Sequence, residues 1–309
     1  MRFFDSSMPN ATCFLVAYAI VLVLEIIRWL DGTGRIGLPS AFKPWLSRII
    51  FGLAVTALFT HSLYLLDRIF LSASTSSSLR LVSSWHDWAI VSSFALSCSY
   101  IWLLLKRRES LIGLFVLPLL LVLVGLSRAV PSDPLGNGNS ATLWRLVHGA
   151  AMTIGTMLVT LGFAMAIMYL IQAYRLKHKR PHQGVLRLPS LEYLQSFGSF
   201  CLLVSAASIG FGLVSGVIMN LVRDGQVNWT DRGILFSGGL FAWLVVASWI
   251  QWHFAKRGQG AYTAWMNVLS FVIVGVAVLL VMSAPHGEVP IKQVDVIRDG
   301  QKHFNGGAL

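Results

Sequence analysis

Long uninterrupted apolar stretches constrain this chain more than any other feature of its sequence. Crossing the hydrocarbon core of a bilayer, about 30 Å thick, takes roughly 20 consecutive apolar residues in a helix. Eight stretches of about this kind recur along the 309 residues: 12–30, 49–66, 89–105, 111–126, 146–172, 197–220, 233–252 and 263–283. The sequence therefore predicts an all-α, polytopic integral membrane protein with about eight transmembrane helices.

Composition and charge agree with this class. Hydrophobic residues make up 55% of the chain and charged residues 12%, and the mean hydropathy is +0.68. Such a chain cannot cover a soluble globule with polar surface. The net charge of +11 is that of many nucleic-acid-binding proteins, but here the Lys and Arg residues sit in short connections beside the apolar stretches. Topology and contact with anionic lipid explain that charge, so we expect membrane lipid as a partner and no nucleic acid.

The positive charges also predict an orientation, because Lys and Arg near the spans stay on the cytoplasmic side. They collect in alternate connections, which are 28–48, 106–108, 175–187 and 256–257. An eight-helix chain then has both termini outside, and we expect the cytoplasmic (inner) membrane of a bacterium. The first span has neither a charged leader nor a small-residue cleavage site, so we expect a retained helix rather than a signal peptide.

Several polar or small residues within the spans have simple structural interpretations. Cys13, Cys98 and Cys201 are isolated from one another, which indicates no disulfide or redox role. The GxxxG pattern Gly212–Gly216 predicts ordinary close packing of helices. Glu25 and Arg28 lie one turn apart, and we expect a packed or interfacial ion pair rather than a proton path.

The eight histidines carry the main chemical signal, because a neutral imidazole is the commonest metal ligand and a polar group in lipid needs a reason. Three lie at the predicted outer face: His86, His148 and His286. His61 lies in the outer half of the second span, while His253 closes the seventh span at the opposite face. The two others near the membrane, His178 and His182, belong to a basic connection and are expected to be solvated.

Haem fits such an arrangement. Its iron accepts two axial imidazoles from different helices, and its propionates need cations. Arg145 lies three residues before His148 and so shares its helical face. It is therefore a candidate to neutralise a propionate. In the alternative interpretation, Arg145 anchors the helix at the headgroup level and His148 reaches to water.

One ordered series of motifs resembles a known family. His148 opens a long apolar helix that closes in Tyr169–Gln172; a basic Leu176–Lys177 turn and then Leu188–Glu192 follow, and the next helix carries Gly210–Gly216. This order resembles the core of the cytochrome c assembly family, the CcsA/ResC/CcmC-like proteins and their HemX-like relatives. All are membrane proteins that handle haem.

The resemblance extends to two further histidines. His253, preceded by Trp252 and followed by basic and glycine residues, and His286, just beyond the last span, match family histidines. The family implies an external haem held by His148 and His286 as ligands of the haem iron, with His253 serving a site within the membrane. His61, in the second span, is a further candidate for such an inner or intermediate site. The resemblance also divides the chain into an N-terminal four-helix region, 1–142, a haem-handling core, 143–287, and an external tail, 288–309.

The external loop departs from the family pattern. The family loop is rich in tryptophan and ends in a WDPKE-like stretch that forms an aromatic platform for the porphyrin. Here Val227–Gly233 offers Trp229 and Asp231, but neither the proline nor the Lys-Glu pair. This departure favours the HemX-like branch, with Trp229 as the remaining stacking residue.

The sequence thus predicts a haem-binding or haem-handling protein of cytochrome c biogenesis rather than an enzyme with a defined catalytic reaction. A CcsB-like assembly partner and apocytochrome c are the partners that the family implies. An alternative is a haem-free membrane scaffold or regulator of haem metabolism that retains the fold. A small-molecule transporter is less favoured, because charges within the spans are few and no broken helix is evident.

Overall fold

The computed structural model describes residues 11–75, 84–106, 111–130, 142–178, 188–227, 229–230, 232–255 and 260–283. Within them the chain forms eight α helices: α1 Ala11–Gly32, α2 Phe42–Thr75, α3 Trp85–Lys106, α4 Gly113–Ala129, α5 Thr142–Lys177, α6 Leu191–Asp224, α7 Arg232–Ala255 and α8 Gly260–Ser283. Each predicted apolar stretch corresponds to one of these helices. The prediction of an all-α polytopic membrane protein is confirmed.

Seven of the helices are long and apolar enough to cross a membrane, and α4 is a shorter apolar helix of 17 residues. A helix is the natural form for these segments, because in lipid every backbone N–H and C=O must find its partner within the segment. Pro118 lies inside α4, where its missing N–H is tolerated.

Several helices continue beyond their predicted apolar stretches. The basic stretch 173–177, expected in a loop, is the last turn and a half of α5, and 191–196, expected in the same loop, opens α6. Ser190 explains the start of α6, since its hydroxyl accepts a hydrogen bond from the backbone N–H of Tyr193. Gly225 ends the helix with a left-handed conformation, φ 71°, that few other residues adopt.

Neighbouring helices of the bundle run antiparallel, as contacts between their ends show. Arg68 near the end of α2 pairs with Asp87 at the start of α3, and Arg128 at the end of α4 donates a hydrogen bond to Thr12 at the start of α1. The bundle therefore has two ends. We call the end where α1, α3, α5 and α7 begin the His148 end, and the opposite end the Arg28 end.

Helices α1–α4 pack mainly against one another, and so do α5–α8, with α5 and α6 forming the most extensive pair. The two groups meet where α5 contacts α3 and α4. One apolar core runs from Phe14 and Tyr100 in the first group to Met165 and Leu194 in the second. Apolar packing is thus continuous between the two groups of helices, although the sequence predicts a boundary between them at residues 142 and 143.

The expected ion pair of Glu25 and Arg28 is present. An Arg28 Nη2 atom lies 2.6 Å from Oε2 of Glu25, and the Tyr100 hydroxyl donates a 3.0 Å hydrogen bond to Oε1. Glu25 is fully buried, and the Arg28 side chain is 15% exposed. The close approach of α4 is possible because Gly113 has no side chain; a Cβ there would lie 2.9 Å from both Glu25 and the Tyr100 hydroxyl. The pair is a packed feature of the Arg28 end.

Candidate functional site: the histidines

His148 lies in the second turn of α5 and packs against α6. Its Nδ1 atom is 2.7 Å from the backbone carbonyl oxygen of Gly212. A carbonyl oxygen can only accept, so Nδ1 carries a proton, and in the neutral imidazole Nε2 therefore keeps its lone pair. Within the described helices Nε2 has no hydrogen-bond partner. The arrangement fixes the tautomer and the ring orientation and leaves one nitrogen for a ligand.

Two glycines of α6 make room for the α5 side chains at this point. A Cβ at Gly216 would lie 2.9 Å from Nδ1 and 3.1 Å from Cε1 of His148, and a Cβ at Gly212 would lie 3.2 Å from Met152. The GxxxG pattern therefore does mediate close helix packing, as expected. Its particular consequence is a notch that receives the imidazole of His148.

Arg145 precedes His148 by one helical turn, as the spacing requires. Its side chain is partly buried and is already engaged with another group of the protein. Trp229, in the turn between α6 and α7 at the same end of the bundle, is 66% exposed. Both residues are therefore at the His148 end, and Trp229 presents most of its ring outward.

His86 proves to be a packing residue although the sequence groups it with His148. Its Nδ1 atom lies 2.7 Å from the carbonyl oxygen of Ser127 in α4, and Nε2 lies 3.2 Å from the Tyr64 hydroxyl in α2. Both ring nitrogens are thus used to join three helices. No lone pair of His86 remains for a ligand in this arrangement.

His61 is fully buried in an aromatic enclosure between α1, α2 and α3. Phe14 stacks on its ring at a centroid distance of 4.2 Å, and Phe94 meets it edge-on at 5.3 Å. The Tyr18 hydroxyl lies 3.5 Å from Nδ1, which is a long contact. Nε2 makes no hydrogen bond of good geometry within the described residues, although the Ile90 carbonyl lies nearby. His61 and His148 thus occupy different helix interfaces.

His253 lies at the Arg28 end, in the last turn of α7. It is exposed, stacks on Trp249 at a centroid distance of 5.9 Å and meets the edge of Phe254 at the same distance. Its placement opposite His148 agrees with the sequence. His286, the predicted second ligand, lies outside the described residues.

Potential metal-ligating side chains do not cluster in the described part of the bundle. No group of three or more His, Cys, Asp or Glu able to hold a metal ion occurs in the described part of the chain. Cys13, Cys98 and Cys201 are free thiols, as expected from their separation.

The helices and their packing define an integral membrane protein of the all-α polytopic class. Comparison with protein-family models, with curated proteins and with solved structures gave no match to this chain. The cytochrome c assembly resemblance therefore depends on the motifs of the chain itself. One of these motifs, Leu188–Glu192, has a structural explanation, since Ser190 caps α6 and Glu192 lies in its first turn, where a negative charge is favourable.

Proposed function

We propose that this protein binds or passes haem in the membrane as a CcsA/HemX-like component of cytochrome c biogenesis. The observation that carries the proposal is the hydrogen bond from His148 Nδ1 to the Gly212 carbonyl oxygen. A histidine that ligates a metal almost always donates its other ring N–H to a carbonyl or carboxylate, which orients the ring and makes the ligating nitrogen more basic. His148 makes a hydrogen bond of this kind to the Gly212 carbonyl oxygen.

In the proposal, haem is cargo, held at the His148 end. His148 supplies one axial ligand through Nε2, and His286 supplies the other. Arg145 neutralises a propionate, and Trp229 contributes an exposed ring surface. His253, at the opposite end, belongs to a separate site. His61 fits this role less well than His148, because its aromatic enclosure leaves the ring fully buried.

The proposed orientation places the His148 end outside the cytoplasm and both termini with it. Basic residues support this choice, because those near the Arg28 end outnumber the ones at the other end of the described helices. At the Arg28 end lie Arg28, Arg35, Lys43, Arg48, Lys106, Arg175 and Lys177. By the positive-inside rule that end faces the cytoplasm of a bacterial cell. A CcsB-like partner and apocytochrome c would then meet the protein at the His148 end.

A haem-free scaffold or regulator is the second candidate. The observation that favours it is the single exposed Trp229 in the turn between α6 and α7, where the family has a tryptophan-rich platform. One ring is a poor support for a porphyrin. The two candidate functions differ in one measurable property, which is the absorption of bound haem in the purified protein.

The test compares absorption spectra of the detergent-purified protein with those of His148→Ala and His178→Ala variants. His178 is the matched control, since it is exposed and its Nδ1 bonds only to the Tyr174 carbonyl of its own helix. We expect a Soret band and sharp reduced α and β bands in the parent and in His178→Ala. In His148→Ala we expect several-fold less haem per protein. A parent protein that is colourless and takes up no added haem would contradict the proposal and favour the scaffold.

A further inference from the structure

The buried face of α8 is polar over its first three turns. Thr263, Asn267 and Ser270 are spaced by four and three residues, which places them on one side of the helix, and each is at most 3% exposed. After Ser270 the helix is apolar from Phe271 to Met282. In a membrane-spanning helix, polar side chains that face the bundle interior either join helices or line a path for polar species.

Hydrogen bonds connect this polar face to α7. Gln251 Nε2 donates to the Thr263 carbonyl oxygen at 2.9 Å, and Trp243 Nε1 donates to the Ser270 hydroxyl at 3.1 Å. We call the row formed by Thr263, Asn267, Ser270 and Gln251 the polar seam. It begins near the Arg28 end, where the Tyr169 hydroxyl and the Gln195 side-chain oxygen lie against Gly260.

Asn267 is the unsatisfied member of the seam. Its Nδ2 donates to the Thr263 carbonyl oxygen at 3.1 Å, which fixes the orientation of the amide. Its Oδ1 is buried and has no donor among the described residues. Glycines surround the amide: a Cβ at Gly162 would lie 2.6 Å from Oδ1, and one at Gly198 would lie 3.4 Å from Nδ2. A buried acceptor without a donor is uncommon and is usually explained by bound water or an ion.

A second unpaired group lies at about the same depth. The pairs Gln251–Thr263 and Trp243–Ser270 fix the antiparallel register of α7 and α8. In this register Ser248 lies at about the same height along the bundle as Asn267. The Ser248 hydroxyl is also buried and has no partner within the described helices. If the polar seam served only to hold helices together, its hydrogen-bond donors and acceptors would be expected to pair with one another.

We propose that the polar seam is a water-accessible path that enters from the Arg28 end and reaches Asn267 and Ser270. Water supplies the donor that Asn267 Oδ1 lacks, and the seam ends where apolar Val274 follows on the same face of α8. This inference does not depend on haem binding. It assigns to the second group of helices a route by which water, and ions no larger than water, reach the middle of the bundle.

Single cysteines in a background free of Cys13, Cys98 and Cys201 test the path. Thr263→Cys, Asn267→Cys, Ser270→Cys and Val274→Cys would be treated with Ag⁺, a thiol-reactive ion small enough for a path of water size. Thiols that escape Ag⁺ are then counted with a maleimide after denaturation. Val274 is the matched control, because it lies on the same face and is similarly buried. Each variant must first elute as folded protein in size-exclusion chromatography.

We expect the three seam cysteines to react with Ag⁺ several-fold faster than the cysteine at 274, since a thiolate forms only where water reaches. Ser270→Cys is the most informative variant, because it changes one atom and lies deepest in the seam. If it folds and reacts no faster than Val274→Cys, the path does not exist and the seam only joins helices. Thr263→Cys gives the same distinction near the mouth if Asn267→Cys does not fold.

Discussion

Replacing Arg28 with methionine is expected to lower the melting temperature of the detergent-solubilised protein sharply. Methionine keeps the apolar stem but removes the charge that lies 2.6 Å from Glu25. Glu25 then stays fully buried between α1, α3 and α4 without its counter-charge. Removal of one partner of a buried pair typically costs about 3–5 kcal/mol of the free energy of unfolding.

Two further variants distinguish the loss of this ion pair from a general loss of positive charge. Arg35→Met removes an exposed arginine from the connection between α1 and α2, and it should leave the melting temperature nearly unchanged. The double variant Glu25→Gln with Arg28→Met should recover most of the loss, because the buried charge is gone and the amide oxygen can still accept from Tyr100. A double variant as unstable as Arg28→Met alone would show that the ion pair is not the cause.

Replacing Gly216 with valine is expected to disrupt the packing of His148 and with it any binding at that end. The new Cβ would lie 2.9 Å from His148 Nδ1, closer than side chains tolerate. The ring cannot yield without breaking its bond to the Gly212 carbonyl oxygen, so either the imidazole turns away or α5 and α6 separate. Overpacking of this kind usually costs about 1–3 kcal/mol.

Gly275→Val is the matched control, since it puts the same residue into a helix of the same group at a position with open space within 4 Å. Both substitutions change helix propensity equally, so a difference between them reports packing. We expect a lower melting temperature only for Gly216→Val and, in the proposed haem-bound protein, a weakened Soret band as well. Equal behaviour of the two variants would contradict the notch at His148.

The helices were predictable because hydrocarbon permits so few structures. An apolar stretch of sufficient length must satisfy its backbone internally, which makes a helix almost obligatory whatever the neighbours are. The pairing of Glu25 with Arg28 was also predictable, because residues three apart on a helix face each other. Their third partner, Tyr100, comes from another helix, and no local spacing indicates it.

The roles of individual histidines were not predictable in the same way. His86 and His148 both lie near the starts of apolar helices. Among the described residues, however, His86 is hydrogen-bonded to Ser127 and Tyr64, while His148 is hydrogen-bonded to Gly212 alone. These differences follow from the register and rotation of one helix against another. The sequence of a connection such as 178–190 determines neither the register nor the rotation of the helices that it joins. The glycines of α6 could therefore be recognised as a packing pattern but could not be assigned to His148.

Helix length in this bundle is very uneven, and the surrounding lipid has to respond to it. At 1.5 Å per residue, α5 with its 36 residues is about 54 Å long, whereas α4 with 17 is only about 26 Å. Val122 of α4 is 67% exposed, so this short helix contacts the acyl chains directly. A hydrocarbon layer of about 30 Å is thicker than α4, and such a mismatch is relieved by thinning of the bilayer beside it. We therefore expect the bilayer to be thinner beside α4 than beside the seven longer helices.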